Sequence, residues 1–137
     1  MTRLYKAAPD TKLTFLRQVE LQLTPVDFPP QVIIETTAAC NLRCAHCGHG
    51  TMARPKGHMS MSLYRKIVDE IADRAPHTEV WPTFYGEAFL LDYRLFYMLR
   101  YARQRGLTNL VLNTNGTRIS EEVSEWILDS GLRIIMF

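Results

Sequence analysis

From residue 31 onward the chain repeats one pattern: a short apolar run, a loop, then an amphipathic stretch of helical period. The runs are Val32-Ile33-Ile34, Val80 to Tyr85, Leu110-Val111-Leu112 and Leu132 to Phe137. Their β-branched and aliphatic residues favour strands, although Pro82 lacks the amide that an interior ladder position uses. Between the runs, the spacing of apolar residues predicts three helices. The first is expected to start from Ser62 as N-cap, to run to about Asp73 with Leu63, Ile67 and Ile71 inward, and to stop before Pro76. Its wet face offers Arg65–Asp69 and Lys66–Glu70 at i,i+4. The second covers about Tyr93–Arg105, turns Phe96, Leu99 and Ala102 inward and stops at Gly106. The third is capped by Ser120, sets Glu121 and Glu122 at its positive end, turns Val123, Ile127 and Trp126 inward and stops at Gly131.

Such alternation demands an α/β fold of parallel strands joined by right-handed crossovers. Every loop that follows a strand then lies at the same end of the sheet, where active-site loops gather. The last run has no helix after it to cover an edge, so the expectation is the first half of a larger barrel. Residues 1–30 stand apart as an N-terminal extension, with a helical stripe of Leu13, Leu16, Val19 and Leu23 closed by Pro25, Pro29 and Pro30. Residues 31–137 form the core domain.

The loop after the first strand carries Cys40, Cys44 and Cys47 in the run CNLRCAHC, and these are the chain's 3 cysteines. An odd, tightly clustered set argues against a disulfide framework. Three thiolates are one fewer than an all-cysteine iron–sulfur cube takes, which leaves one corner for another ligand. Two other readings fit the same residues: zinc, with His46, His49 or His58 as fourth ligand, and a thiol pair acting as a redox switch. With 137 residues the chain is about one domain, and a hydrophobic share of 47% gives it material for a core. A net charge of +2 is too small to argue for nucleic acid or an anionic membrane. The opening MTRLYKAAPDTK has no apolar core of a secretory signal, and no apolar run reaches the length of a membrane span. The expected compartment is the cytoplasm.

The C-x3-C-x2-C loop, with His46 before its last cysteine, resembles the cluster loop of the radical S-adenosylmethionine (radical SAM) enzymes. The flanking IETTAAC and RPKGHMSMSLYRKIVDEI look like members that carry a SPASM extension. The resemblance runs from about residue 31 to the end. It implies a partial (β/α)6 barrel with a [4Fe–4S] cluster on Cys40, Cys44 and Cys47, whose fourth iron takes the amino and carboxylate groups of S-adenosylmethionine. One electron would then cleave the sulfonium to methionine and a 5′-deoxyadenosyl radical, which removes a hydrogen atom from substrate. A peptide or protein side chain is the implied substrate class, and reduced flavodoxin or ferredoxin the implied electron donor. The extension's own cysteines are absent from this sequence.

Further along, Phe84-Tyr85-Gly86-Glu87-Ala88 resembles the family's G-G-E-P segment, which meets the amino end of the cofactor. Gly86 and Glu87 match, while Tyr85 replaces the first glycine and Ala88 the proline. Asn113-Thr114-Asn115-Gly116 matches the family's T-N-G stretch, and Asn115 would hydrogen-bond cofactor or substrate; Asn-Gly equally suits a plain turn. His46 would lie against the adenine, or be an ordinary loop histidine. His49, His58 and His77 are expected in solvent, as are Arg54 and Lys56. Phe96, Tyr97 and Tyr101 read as core and rim, and Tyr64 and Trp81 carry no assignable role.

Overall fold

The computed structural model describes Arg17 and residues 27–137; the stripe expected over residues 13–23 lies outside the described residues. Over residues 27–137, four short strands alternate with three α-helices: β1 (Gln31–Ile33), α1 (Met61–Arg74), β2 (Glu79–Trp81), α2 (Tyr93–Gln104), β3 (Val111–Asn113), α3 (Glu121–Asp129) and β4 (Ile134–Met136). β1 and β2 pair in parallel with Val32 opposite Val80, and β3 and β4 pair in parallel with Leu112 opposite Ile135. A parallel bridge from Val80 to Leu110 joins the two pairs, supported by the Val80 amide on the Asn109 carbonyl at 2.9 Å. The strands therefore follow one another in sequence order, all parallel, as in one side of a β/α barrel. No helix among the described residues is long and apolar enough to cross a membrane.

One face of this sheet makes the core. Ile34, Val80, Leu110 and Leu112 pack with Tyr64, Val68 and Ile71 of α1 and with Leu95, Met98, Leu99 and Ala102 of α2. Successive strand residues point to opposite faces, so Ile33, Ile134 and Met136 stand on the other one, substantially exposed. A right-handed crossover needs the helix to stop cleanly before the next strand, and Gly106 does this after α2 at φ +90°, a conformation that costs glycine little.

Several expectations need correction. α1 starts two residues early: Ser60, not Ser62, caps it, its Oγ accepting the Leu63 amide at 3.2 Å. Its buried stripe is Tyr64, Val68 and Ile71, while Leu63 is half exposed. The two stripes share Ile71 and differ by one residue, about 100° of rotation, at their other two positions, so periodicity could not choose between them; contact with α2 does. The expected Arg65–Asp69 and Lys66–Glu70 pairs do not form. Asp69 instead accepts the Tyr101 hydroxyl at 2.6 Å and Arg105 Nε at 2.7 Å, and Asp73 accepts Arg105 Nη2 at 2.8 Å. Glu70 pairs with Arg74, and the Arg65 guanidinium lies over the Tyr101 ring.

β2 ends at Trp81 because Pro82 follows, and Trp81 gains a role: its indole N–H donates to Glu79 Oε1 at 2.6 Å. Together with the Gln31 amide, this holds the Glu79 carboxyl below its ordinary value. On α2 the deepest residues include Leu95 and Met98, and Phe96 is only partly buried. α3 buries no residue completely; Trp126 keeps an exposed face and meets Phe96 edge-on at 5.1 Å.

Candidate functional site

The cysteine loop leaves β1 through a segment tied down on both sides. Thr36 is buried and donates to the Pro82 carbonyl at 2.6 Å; Thr37 is buried and lies 2.8 Å from His58 Nδ1. The Ala38 amide reaches the Gly57 carbonyl at 2.9 Å. Cys40 follows half-buried, Cys44 is exposed, and Cys47 is half-buried as the cap of a 3-10 turn over Gly48–Thr51. The loop closes on itself where the Cys47 amide meets the Cys44 carbonyl at 3.1 Å. Two sulfurs accept weak backbone bonds at 3.5 Å, Cys40 from Leu42 and Cys47 from His49. All three thiols are free.

The thiols are not drawn to a common point: among the described residues no group of three or more His, Cys, Asp or Glu is placed around an ion. The donor set nonetheless suits an iron–sulfur cluster. It offers three soft thiolates on one short loop, with amide bonds to two of them of the kind that tunes such clusters. Two of the three histidines offered for zinc are engaged by the protein. His49, expected in solvent, is buried, and its Nε2 sits 2.8 Å from the Ala38 carbonyl, so that nitrogen carries the proton. His58 faces Thr37, and His46 is exposed.

The loop after β2 lies directly against this segment. A Cβ on Gly86 would sit 2.0 Å from the Thr37 carbonyl oxygen and 2.9 Å from that of Ala39, so only glycine fits. The next amide, Glu87, donates to the Ala39 carbonyl at 2.8 Å. Tyr85 lays its ring beside Gly48, and its amide donates to Glu35 Oε1 at 3.3 Å. Glu35 in turn pairs with Arg54, which is therefore engaged rather than simply solvated. Phe84 and Tyr85 meet edge-on at 4.5 Å, both substantially exposed.

Glu87 is the buried hub of the site. Its Oε1 accepts the Phe89 amide and the Thr114 hydroxyl, each at 3.0 Å, and its Oε2 accepts the Asn115 amide at 2.8 Å. Thus the loop after β3 is strapped to the loop after β2 by one carboxylate. The Asn115 side chain goes on to the cysteine loop, its Nδ2 donating to Asn41 Oδ1 at 3.0 Å. The structure so joins the loops that carry Cys40, Gly86, Glu87 and Asn115, while the three thiols do not converge and His46 has no side-chain partner among the described residues. Sequence reasoning passed over Asn41, Thr117 and Glu35, gave Thr114 no role of its own within the T-N-G match, and placed His49 in solvent. The position of Asn41 beside Cys40 was an available signal; Thr117 and Glu35 are linked only through the fold.

Comparison with known proteins agrees with this architecture. The sequence model of the Radical SAM superfamily matches residues 34–137. The AdoMet-dependent heme synthase of Methanosarcina barkeri is 31% identical over 106 residues, 77% of this chain and 29% of that protein. The serine-type anaerobic sulfatase-maturating enzyme of Bacteroides thetaiotaomicron is 30% identical over 118 residues, 77% of this chain and 28% of the enzyme. The chain thus spans less than a third of the length of these relatives. Among solved structures, BtrN in complex with AdoMet and 2-DOIA superposes with a TM-score of 0.72 over 81% of this chain and 46% of BtrN, at 19% identity, a likeness of fold. With the family match running from the end of β1 through residue 137, this chain belongs to the radical SAM superfamily of enzymes, whose cofactors are a [4Fe–4S] cluster and S-adenosylmethionine.

Proposed function

We propose that residues 31–137 are the cluster- and cofactor-binding half-barrel of a radical SAM enzyme, preceded by an extension over residues 1–30. Cys40, Cys44 and Cys47 would hold three irons of the [4Fe–4S] cluster. The observation that carries this reading is the meeting of three strand-end loops at one edge: the cysteine loop, the Gly86-Glu87 loop and the Asn115 loop are hydrogen-bonded to one another. When bound and reduced, the cluster with S-adenosylmethionine supplies one-electron cleavage of the sulfonium and hydrogen abstraction from a substrate.

The chain's own residues bind and orient. Gly86 and the Glu87 backbone would meet the amino end of the cofactor, while the Glu87 side chain, buried and fully engaged, keeps that loop in place. His46, exposed beside Cys47, would lie against the adenine. Asn115 would present its loop to cofactor or substrate while its side chain stays bonded to Asn41. By likeness to SPASM-bearing members and to the sulfatase-maturating enzyme, the substrate class is a peptide or protein side chain. The electron donor is a reduced flavodoxin or ferredoxin, and the compartment is the cytoplasm.

Electron paramagnetic resonance on the anaerobically reconstituted, dithionite-reduced chain tests the reading. A reduced [4Fe–4S] signal that changes shape on adding S-adenosylmethionine is expected, and Cys44→Ser should abolish it. Zinc bound in place of iron would overturn the proposal.

A further inference from the structure

The Asn41 side chain takes part in a closed ring of three hydrogen bonds. Asn41 Nδ2 donates to Thr117 Oγ1 at 2.7 Å, Thr117 Oγ1 donates to Asn115 Oδ1 at 2.7 Å, and Asn115 Nδ2 donates to Asn41 Oδ1 at 3.0 Å. Each residue gives one bond and accepts one, all in the same rotational sense, an arrangement in which the bonds polarise one another. The ring is anchored to the fold by backbone as well. The Thr117 amide donates to Asn115 Oδ1 at 3.0 Å, and the Asn115 amide to buried Glu87 at 2.8 Å.

What the ring holds is the cysteine loop. Among the described residues, the stretch 40–47 makes hydrogen bonds within itself and to His49, and reaches the rest of the protein through Asn41 alone. Residues on either side are well tied, Ala39 by the Glu87 amide and His49 by the Ala38 carbonyl. Between those two ties the three thiols ride on a loop with one attachment, and that attachment is the residue next to Cys40.

We propose that the Asn41 amide is a positioning residue that fixes the Cys40 end of the cluster loop to the β3 loop, so that the cluster, once assembled, is retained. This rests on the cluster reading given above. The side chain at position 41 must both donate and accept, which the amide does through Nδ2 and Oδ1: alanine does neither, and at position 117 valine keeps the shape of threonine but not its hydroxyl. Residues that orient metal ligands change metal affinity by about 10–100-fold when removed. Asn41→Ala and Thr117→Val should therefore release iron to a chelator roughly ten times faster than wild type. Thr117→Ser, which keeps the hydroxyl, should restore the wild-type rate. Because the ring is one unit, the double variant Asn41→Ala/Thr117→Val should be no faster than either single one.

The experiment follows iron release from the anaerobically reconstituted chain to a ferrous chelator. In parallel, amide hydrogen exchange is measured along the whole iron-free chain. Faster exchange in Asn41→Ala, confined to residues 40–47 and 114–117, together with faster iron loss rescued by Thr117→Ser, supports the proposal. Wild type that loads four irons while Asn41→Ala releases them at the same rate overturns the clasp and leaves the cluster reading standing. Wild type that assembles no cluster overturns that reading and the retention role with it. Unchanged exchange in the iron-free Asn41→Ala chain overturns the clasp whatever the iron shows.

Discussion

The Asn115 backbone amide donates to Glu87 Oε2 across 2.8 Å, joining two strand-end loops whose residues lie 28 apart in sequence. Since the carboxylate is buried and accepts three bonds at once, a neutral amide is a poor substitute. Its NH2 end faces donors it cannot satisfy. Glu87→Gln should lose about 1–3 kcal/mol of stability, the cost of leaving a buried donor unpaired. Chemical denaturation followed by circular dichroism would show it as a lower midpoint at unchanged slope. A midpoint equal to wild type would mean the hub is dispensable.

Gly86 gives a sharper contrast. Alanine there would drive a methyl into the Thr37 and Ala39 carbonyls, and backbone cannot step aside as a flexible side chain does. Gly86→Ala should cost about 3 kcal/mol, the upper end for overpacking. Gly57→Ala is the control, because a Cβ there meets nothing within 4 Å. Paired denaturation curves check both, and equal midpoints for the two variants would contradict the close approach.

Tyr64 runs the other way. Its ring belongs to the core cluster, but its hydroxyl is buried without a hydrogen-bond partner among the described residues, and burial pushes its pKa well above the ordinary phenol value. Tyr64→Phe removes that uncompensated group and keeps the ring. The variant should match wild type or gain about 1 kcal/mol, read as thermal midpoint. A loss of stability would show that the hydroxyl has a partner.

Asp69 sets an acid limit on the α1–α2 contact. The Tyr101 hydroxyl first, and then Arg105, hold its carboxyl below the ordinary aspartate value. A carboxyl whose folded pKa is depressed stabilises the fold at any pH above its unfolded value, about 3.9. That contribution is lost as pH falls through the folded pKa. Asp69→Asn should therefore be less stable than wild type by a constant margin from pH 5 to 7, and the margin should shrink below about pH 4. Urea midpoints at pH 3, 5 and 7 decide this; a margin unchanged at pH 3 would place the effect elsewhere.

The order of strands and helices was legible because each apolar run and each amphipathic stretch carries its own local pattern. The cysteine loop stood out by its spacing together with its place after a strand. Rotation of α1 was not, because Leu63, Ile67, Ile71 and Tyr64, Val68, Ile71 satisfy the same period; the partner helix decides, and a partner helix is not in a periodicity. Asp69 looked like half of a local pair with Arg65, yet it serves Tyr101 and Arg105 on another helix. His49 lay hidden for the same reason: its acceptor is the Ala38 carbonyl, and a backbone carbonyl leaves no mark in a sequence. Gly86 and Glu87 could be placed by likeness, but that glycine is required by a carbonyl 49 residues earlier could be seen only in three dimensions.

Glu87 has extended backbone angles, φ −96° and ψ 108°, and Ala88 opens a 3-10 turn. They lie close to the extended region that a proline at position 88 would favour for the residue before it. The loop therefore keeps a proline-compatible path without the ring, its shape enforced by the strap from Glu87 to Asn115. A pyrrolidine ring restricts the chain in the denatured ensemble as well as in the native one, whereas a carboxylate strap acts only once both loops are in place. The turn's own bond, from the Phe89 amide to Glu87 Oε1, forms within the segment, while the bonds from Thr114 and Asn115 add their restraint only where the β3 loop is in place.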